Sequence, residues 1–322
     1  LRGLAGKSSG QIAMNDFYGK SDVFTFAITS NKSQTNLRSL AVSAGWNESS
    51  EVIATLNSGK YITSNAVGTP ALTINGSFPN GVTLVNKGYI MGKGGGTSAV
   101  NGQAGGSAIS LGVNVTINQD GGYIGGGGGC GGATSTQTSY GGGGAGAGKG
   151  NCGVGAQGGN NQGGRKLNPT SNGGAGKSTT RSGSNEGESG ATGGGGWSGG
   201  GGSCRTYSTK KGSHTNQGNY IGNCSYSTYY QRRGDAGGGG GGWGATGGRG
   251  ASSGAVNNEN AGVTANSGAG GTNNANGGGA SISQSNATIT YSSGGAGGKA
   301  VARNGKTVTW IGGTSKVYGA VS

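Results

Sequence analysis

Seventy of the 84 glycines in this 322-residue chain fall within residues 91–300. A stretch that is one-third glycine has few Cβ atoms with which to build a side-chain core. It also gives up the most conformational freedom when it orders. Collagen shares this glycine fraction but requires a strict Gly-X-Y period and abundant proline. The period is missing here, and Pro169 is the only proline in the stretch. Low-complexity disorder is the simplest alternative.

An internal repeat argues for order. VTLVNKGYIMGKGGG (82–96) is echoed by VTINQDGGYIGGGGG, which begins at Val115, and more loosely by ATITYSSGGAGG (287–298). Each copy runs from a strand pattern through a turn into glycine, as stacked similar units do. A glycine run has one ordered form that needs no side-chain core. It is the extended polyproline-II helix, with three residues per turn and about 3.1 Å rise per residue. That helix has no internal hydrogen bonds, so its N–H and C=O groups must pair with neighbouring segments. The expectation is therefore a polyglycine-II helix bundle over 92–300 with variable loops between its runs. Trp197 and Trp243, each ending a glycine run, are read as plugs of that bundle.

The rest of the chain reads as mainly β or irregular. Residues 1–20 suggest a linker or adaptor, 21–91 a small β-rich N-terminal domain, and 301–322 a closing strand segment. Val23–Thr29 alternates, with Phe24, Phe26 and Ile28 on one side. Asn36 can cap a helix whose stripe is Leu37, Leu40, Ala41 and Ala44, closed by Gly45. EVIATL (51–56), ALTI (71–74) and VTLV (82–85) read as further strands.

Hydrophobic residues make up 30% of the chain and the net charge is +14, so an anionic partner is favoured. No run of 18 apolar residues is present, and no membrane insertion is expected. The sequence starts at Leu1 without a signal peptide, which reads as the C-terminal part of a longer protein. Cys130, Cys152, Cys204 and Cys224 fit no zinc spacing. They are either free thiols or two staples, Cys130–Cys152 and Cys204–Cys224.

Catalytic patterns are weak. His214 is the only histidine and has no obvious carboxylate partner. Glu186 and Glu188 sit amid serine and glycine, as a solvated loop does. Gly173–Ser178 looks like the end of a phosphate-binding loop, but Ser171 occupies the place of its first glycine and no strand precedes it. Gly248-Arg249-Gly250 and Gly163-Gly164-Arg165 are too few for RGG-type RNA binding. Neither an enzyme, a cofactor nor a nucleic-acid partner is expected.

The strongest local signal is residues 203–235, SCRTYSTKKGSHTNQGNYIGNCSYSTYYQRRGD. The segment joins Tyr207, Tyr220, Tyr226, Tyr229 and Tyr230 to Arg205, Lys210, Lys211, Arg232 and Arg233, within serine, threonine, asparagine and glycine. Tyrosine offers contact area at low entropy cost, and small polar residues adapt their hydrogen bonds, as in paratopes. Arginine and lysine capture phosphate or carboxylate. Tyr140, Arg165 and Lys166 lie in shorter polar stretches that would contribute. A self-packed surface loop is the alternative.

Asn36-Leu37-Arg38 through Ala44-Gly45-Trp46, Thr69-Pro70-Ala71-Leu72 and Leu84–Ile90 resemble the glycine-rich C-terminal regions of tailed-phage tail proteins. Ser9–Ile12, Asp16–Gly19, Val308–Ile311 and Val317–Gly319 fit the same pattern. The glycine-rich half is similar to the tip adhesins of T-even-like phages, whose polyglycine-II bundle presents variable loops to a receptor. The resemblance implies a tail-tip protein of the virion, extracellular in action and assembled in the host cytoplasm. It also implies other tail proteins as partners, and an outer-membrane protein or lipopolysaccharide as receptor. A structural fibre or spacer is the alternative, although the polar stretches differ in length and chemistry where a spacer's should be interchangeable.

Overall fold

The computed structural model describes residues 11, 22–96, 101–133, 144–146, 236–253, 264–271 and 274–322, with the backbone alone of 178–181, 188–191, 204–212, 228–235, 256–257 and 263. Short strands dominate. The first five stretches are β1 (Val23–Ile28), β2 (Lys32–Ser33), β3 (Thr35–Asn36), the helix α1 (Leu37–Ser43) and β4 (Glu51–Leu56). Next come β5 (Tyr61–Thr63), β6 (Leu72–Ile74), β7 (Val82–Asn86), β8 (Tyr89–Met91), β9 (Ile109–Leu111), β10 (Val115–Gln119) and β11 (Tyr123–Gly125).

These strands stack as coils of a parallel solenoid. β1 pairs with β4, β4 with β7 and β7 with β10, all parallel, and β2, β5, β8 and β11 form a second sheet in the same order. β3, β6 and β9 begin a third. Strands this short cannot stand alone; stacking each on its equivalent in the next coil buries one continuous core.

After β11 the chain leaves the stack. Its excursion contains β12 (Ser178–Arg181), β13 (Glu188–Ala191), β14 (Cys204–Gly212), β15 (Thr228–Ala236) and β16 (Gly250–Ser253). It continues through β17 (Val256–Asn257), β18 (Val263–Asn266), β19 (Ser281–Gln284) and β20 (Ile289–Ser292). The chain then re-enters with β21 (Val301–Ala302), which pairs with β9 and completes the third sheet. A last coil follows, with β22 (Val308–Ile311) on β10 and β23 (Val317–Tyr318) on β11. The glycine-rich excursion is thus inserted within one coil.

Alternation explains which side chains face inward. Register aligns Phe26, Ala54, Leu84, Ile117 and Trp310 in one row. Ala54, Leu84 and Ile117 are fully buried, as are Ile62, Ile90 and Ile124 of the second sheet. One row turns from apolar to polar after Ile28 and Leu56: Asn86 Nδ2 donates to Gln119 Oε1 at 2.7 Å inside the stack. The helix packs against β3, β4 and β6 through buried Leu37 and Ala41. Asn36 caps it, its side chain accepting from the Ser39 N–H, and Gly45 follows with φ +100°. Leu84→Ala should cost about 2–5 kcal/mol, because its methyls are lost from a stack that cannot collapse around the gap. Thr83→Ala, on the outward side, should stay near neutral. Chemical denaturation of both variants checks the contrast.

The expected architecture is corrected by this arrangement. A polyglycine-II helix bundle does not organise 92–300: the structure is β-rich, with parallel sheets and one short helix among the described residues. Alternating apolar residues at 109–111 and 115–119 carry those segments into the solenoid, where aliphatic burial outweighs what a side-chain-free bundle offers. The looser repeat at 287–298 also lies elsewhere, its strand β20 pairing antiparallel with β16. The true further copies are 23–33, 51–63 and 308–318, in which Lys32-Ser33, Tyr61-Ile62 and Val317-Tyr318 pair into the second sheet.

The glycine runs themselves pack as extended main chain, one on another. Within 126–132, the Gly127 N–H donates to Gly106 O at 2.8 Å, the Gly129 N–H to Ala245 O at 2.9 Å and the Gly132 N–H to Gly248 O at 2.9 Å. Other runs donate back: the Gly298 N–H to Gly127 O at 2.6 Å and the Gly295 N–H to Cys130 O at 2.7 Å. This layer meets the solenoid at Trp243, which is fully buried with Met91 and Ala145. Tyr61, Tyr89, Tyr123 and Tyr318 pack beside that cluster; Tyr61 and Tyr89 stack at 5.2 Å, and Tyr89 and Tyr123 at 5.5 Å. Trp243 is thus buried against sheet tyrosines, not as the plug of a polyglycine-II helix bundle. Trp197 lies outside the described residues. Cys130, at the centre of the layer, is disulfide-bonded. Burial lowers the pKa of the nearby Lys93 ammonium from its ordinary value.

Candidate functional site

The two ends of segment 203–235 pair with each other. β14 and β15 form an antiparallel ladder of nine positions, from Cys204 opposite Ala236 to Gly212 opposite Thr228. The ladder belongs to a sheet ordered β13-β12-β14-β15-β16-β20, with β17 pairing beside β15. At its other flank β12 runs parallel to β14 and antiparallel to β13.

Register decides which candidates meet. Tyr207 stands opposite Arg233, Lys210 opposite Tyr230 and Lys211 opposite Tyr229. Arg232 faces Ser208, and Arg205 faces Asp235. Directly opposed positions of an antiparallel pair have Cα atoms about 4.5–5.5 Å apart. Three of the nine cross-strand pairings therefore put a tyrosine position beside a cation position. Five cation positions share the ladder with one acid, Asp235. The register gathers cation and tyrosine positions along one ribbon of backbone.

Eight of the candidate residues are gathered this way: Arg205, Tyr207, Lys210, Lys211, Tyr229, Tyr230, Arg232 and Arg233. Tyr220, Tyr226, Tyr140, Arg165 and Lys166 lie outside the described residues, as do His214, Glu186 and residues 173–177 of the phosphate-loop-like motif. Among the described residues no cluster of histidine, cysteine, aspartate or glutamate could hold a metal ion. No helix among them is long and apolar enough to cross a membrane.

Sequence reading missed one exposed pair on the same sheet. Arg249 lies over the Tyr291 ring, 4.1 Å from its centroid, and Tyr291 is 53% exposed. Arg249 stood in the sequence within a weak RGG-like triplet, and Tyr291 within the loosest repeat copy; only the pairing of β16 with β20 brings them together.

The fold is thus a solenoid that carries a main-chain-bonded glycine layer and, beside it, a ladder of tyrosine and cation positions. The sequence model of the family described as Phage tail fibre adhesin Gp38 matches residues 23–236. That span is well over half of the chain, and the chain belongs to this family. It is a phage tail-fibre adhesin and a component of the virion tail. No curated protein matches it. Among solved structures it is similar to the gp37-gp38 adhesin tip complex of the bacteriophage S16 long tail fiber, at 24% identity and a TM-score of 0.34. The match covers 47% of this chain and 61% of that one, so it spans less than two thirds of the relative.

Proposed function

We propose that this adhesin acts at the tip of the fibre and binds a receptor on the bacterial outer surface through the β14–β15 ladder. The observation that carries this reading is the register that sets Tyr207 against Arg233, Lys210 against Tyr230 and Lys211 against Tyr229. Tyrosine and arginine are the anchors that interface hot spots use. Tyr140, Arg165, Lys166, Tyr220 and Tyr226, which lie outside the described residues, contribute to the same binding in this proposal. Its work is recognition rather than catalysis, and it acts outside the cell after assembly in the host cytoplasm. Other tail proteins hold it on the fibre.

The receptor is an outer-membrane protein or lipopolysaccharide, and salt separates the two. Binding to phosphate-rich lipopolysaccharide should weaken steeply between low and physiological ionic strength, because exposed charges are screened beyond about 8 Å at 0.15 M. A protein receptor gripped through tyrosine should respond weakly. Adsorption of the purified protein to intact cells, and to mutants lacking each receptor class, tests the reading. Equal adsorption to every mutant and to cells of unrelated bacteria would contradict it.

A further inference from the structure

Arg249 is exposed where the chain enters β16, and its guanidinium is pinned. The Tyr291 ring lies 4.1 Å from its central carbon. The stem runs over Gly279, where an added Cβ would meet Arg249 Cγ at 3.2 Å. Ring and glycine thus restrict the side chain before any ligand arrives, which lowers the ordering cost of binding. No hydrogen bond or ion pair with the described residues takes up its N–H donors. A pinned cation whose fork no described residue engages is arranged for a polar anion.

Its position ties it to the ladder. Ala236 of β15 pairs with Ala251 of β16, which pairs with Tyr291 of β20. Tyr291 is therefore two strands from β15, about 10 Å at the usual strand spacing. One ligand can span both. A protein hot spot buries an aromatic ring in the partner's pocket, but Arg249 already occupies one face of this ring. What remains on offer is a guanidinium fork and a phenol edge, and the fork matches the geometry of phosphate. The net charge of +14 favours the same sign of ligand.

We infer that Arg249 and Tyr291 form a further contact of the receptor surface, specific for a phosphate group on a cell-surface saccharide. This rests on the reading that the sheet carrying the ladder is the recognition surface. The test uses the full chain and immobilised lipopolysaccharide from a strain to which it adsorbs, intact and chemically dephosphorylated. Arg249→Gln keeps the stem over Gly279 and removes the charge. It should bind intact lipopolysaccharide about tenfold more weakly than the parent, as expected for loss of charge-assisted hydrogen bonds. On dephosphorylated material the two proteins should bind alike. Inorganic phosphate at constant ionic strength should compete with the parent and not with R249Q, a comparison that stands even if the variant melts at a lower temperature.

Parental binding of R249Q to intact lipopolysaccharide overturns the inference. So does an equal loss on both preparations. A loss seen only on a purified outer-membrane protein assigns the contact to an acidic protein group and overturns the saccharide. The Tyr229, Tyr230, Arg232 and Arg233 alanine variant, run alongside, separates the two claims. If it fails to bind while R249Q binds normally, the ladder stands and the Arg249 contact falls. If it binds normally, the ladder reading falls on its own account.

Discussion

Gly129→Ala should prevent recovery of stably folded protein, although it adds a single methyl group. A Cβ at this position would lie 1.8 Å from the carbonyl oxygen of Gly295 and 2.4 Å from its carbon. Both are main-chain atoms and cannot swing aside as a side-chain tip can. Gly129 also joins three segments: its N–H donates to Ala245 O, and its carbonyl accepts from the Gly241 N–H, each at 2.9 Å. Separating the segments to admit the methyl strands these groups away from water. Each buried polar group left unpaired costs about 1–3 kcal/mol. Two or three such losses consume most of the 5–15 kcal/mol or so that holds a typical domain folded. Gly68→Ala is the control, since nothing lies within 4 Å of its added Cβ and its φ is ordinary. That change should stay within about 0.5 kcal/mol of the parent. Soluble yield and thermal melting of the two variants measure the difference, and equal behaviour would show that the glycine layer is not closely packed.

How much of this could be read from the sequence follows from what each element needs. The helix was legible because its signals are local: a capping asparagine, an apolar stripe and a closing glycine all fall within ten residues. Strands β4 and β7 were legible because inward and outward residues alternate cleanly, as in VTLVN. The solenoid was not. Its third-sheet strands are two or three residues long, too short for a period to show. Strand β22 is separated in the chain from β10, on which it stacks, by the whole excursion, so Val115 pairs with Val308 across a gap that no repeat search spans easily. Tyr61 and Tyr318 were passed over for the same reason, since only stacking reveals that they extend the column of Tyr89 and Tyr123.

The glycine layer was half legible. The sequence demanded that glycine N–H groups find partners on other segments, and the structure supplies them for many of the described glycines, such as Gly127, Gly129 and Gly132. Their identity could not be read, because a run without side chains carries no pattern that names its neighbour. The burial that organises the fold sits instead in Val, Ile and Leu rows that the glycine-dominated composition conceals. In the candidate site, composition alone singled out the tyrosines and cations of 203–235. Their pairing was hidden because RTYSTKK and TYYQRR have no apolar face, so alternation leaves no hydropathy signal. A polar strand is recognised only by its partner.

The β14–β15 ladder is proposed to hold the receptor, and the most direct measurement is adsorption of a variant that removes four of its proposed anchors. Tyr229→Ala, Tyr230→Ala, Arg232→Ala and Arg233→Ala together erase two tyrosine positions opposite lysines, one cation opposite Tyr207 and one opposite Ser208. An anchor of this kind typically contributes about 2 kcal/mol or more to a complex, so even one true anchor among the four weakens binding more than tenfold. The backbone ladder itself tolerates the change, since alanine retains every main-chain donor and acceptor. Melting temperature and the circular dichroism spectrum should therefore match the parent, while adsorption to susceptible cells falls below detection. A variant that folds like the parent and adsorbs at the parental rate would place recognition elsewhere on the protein and contradict the account.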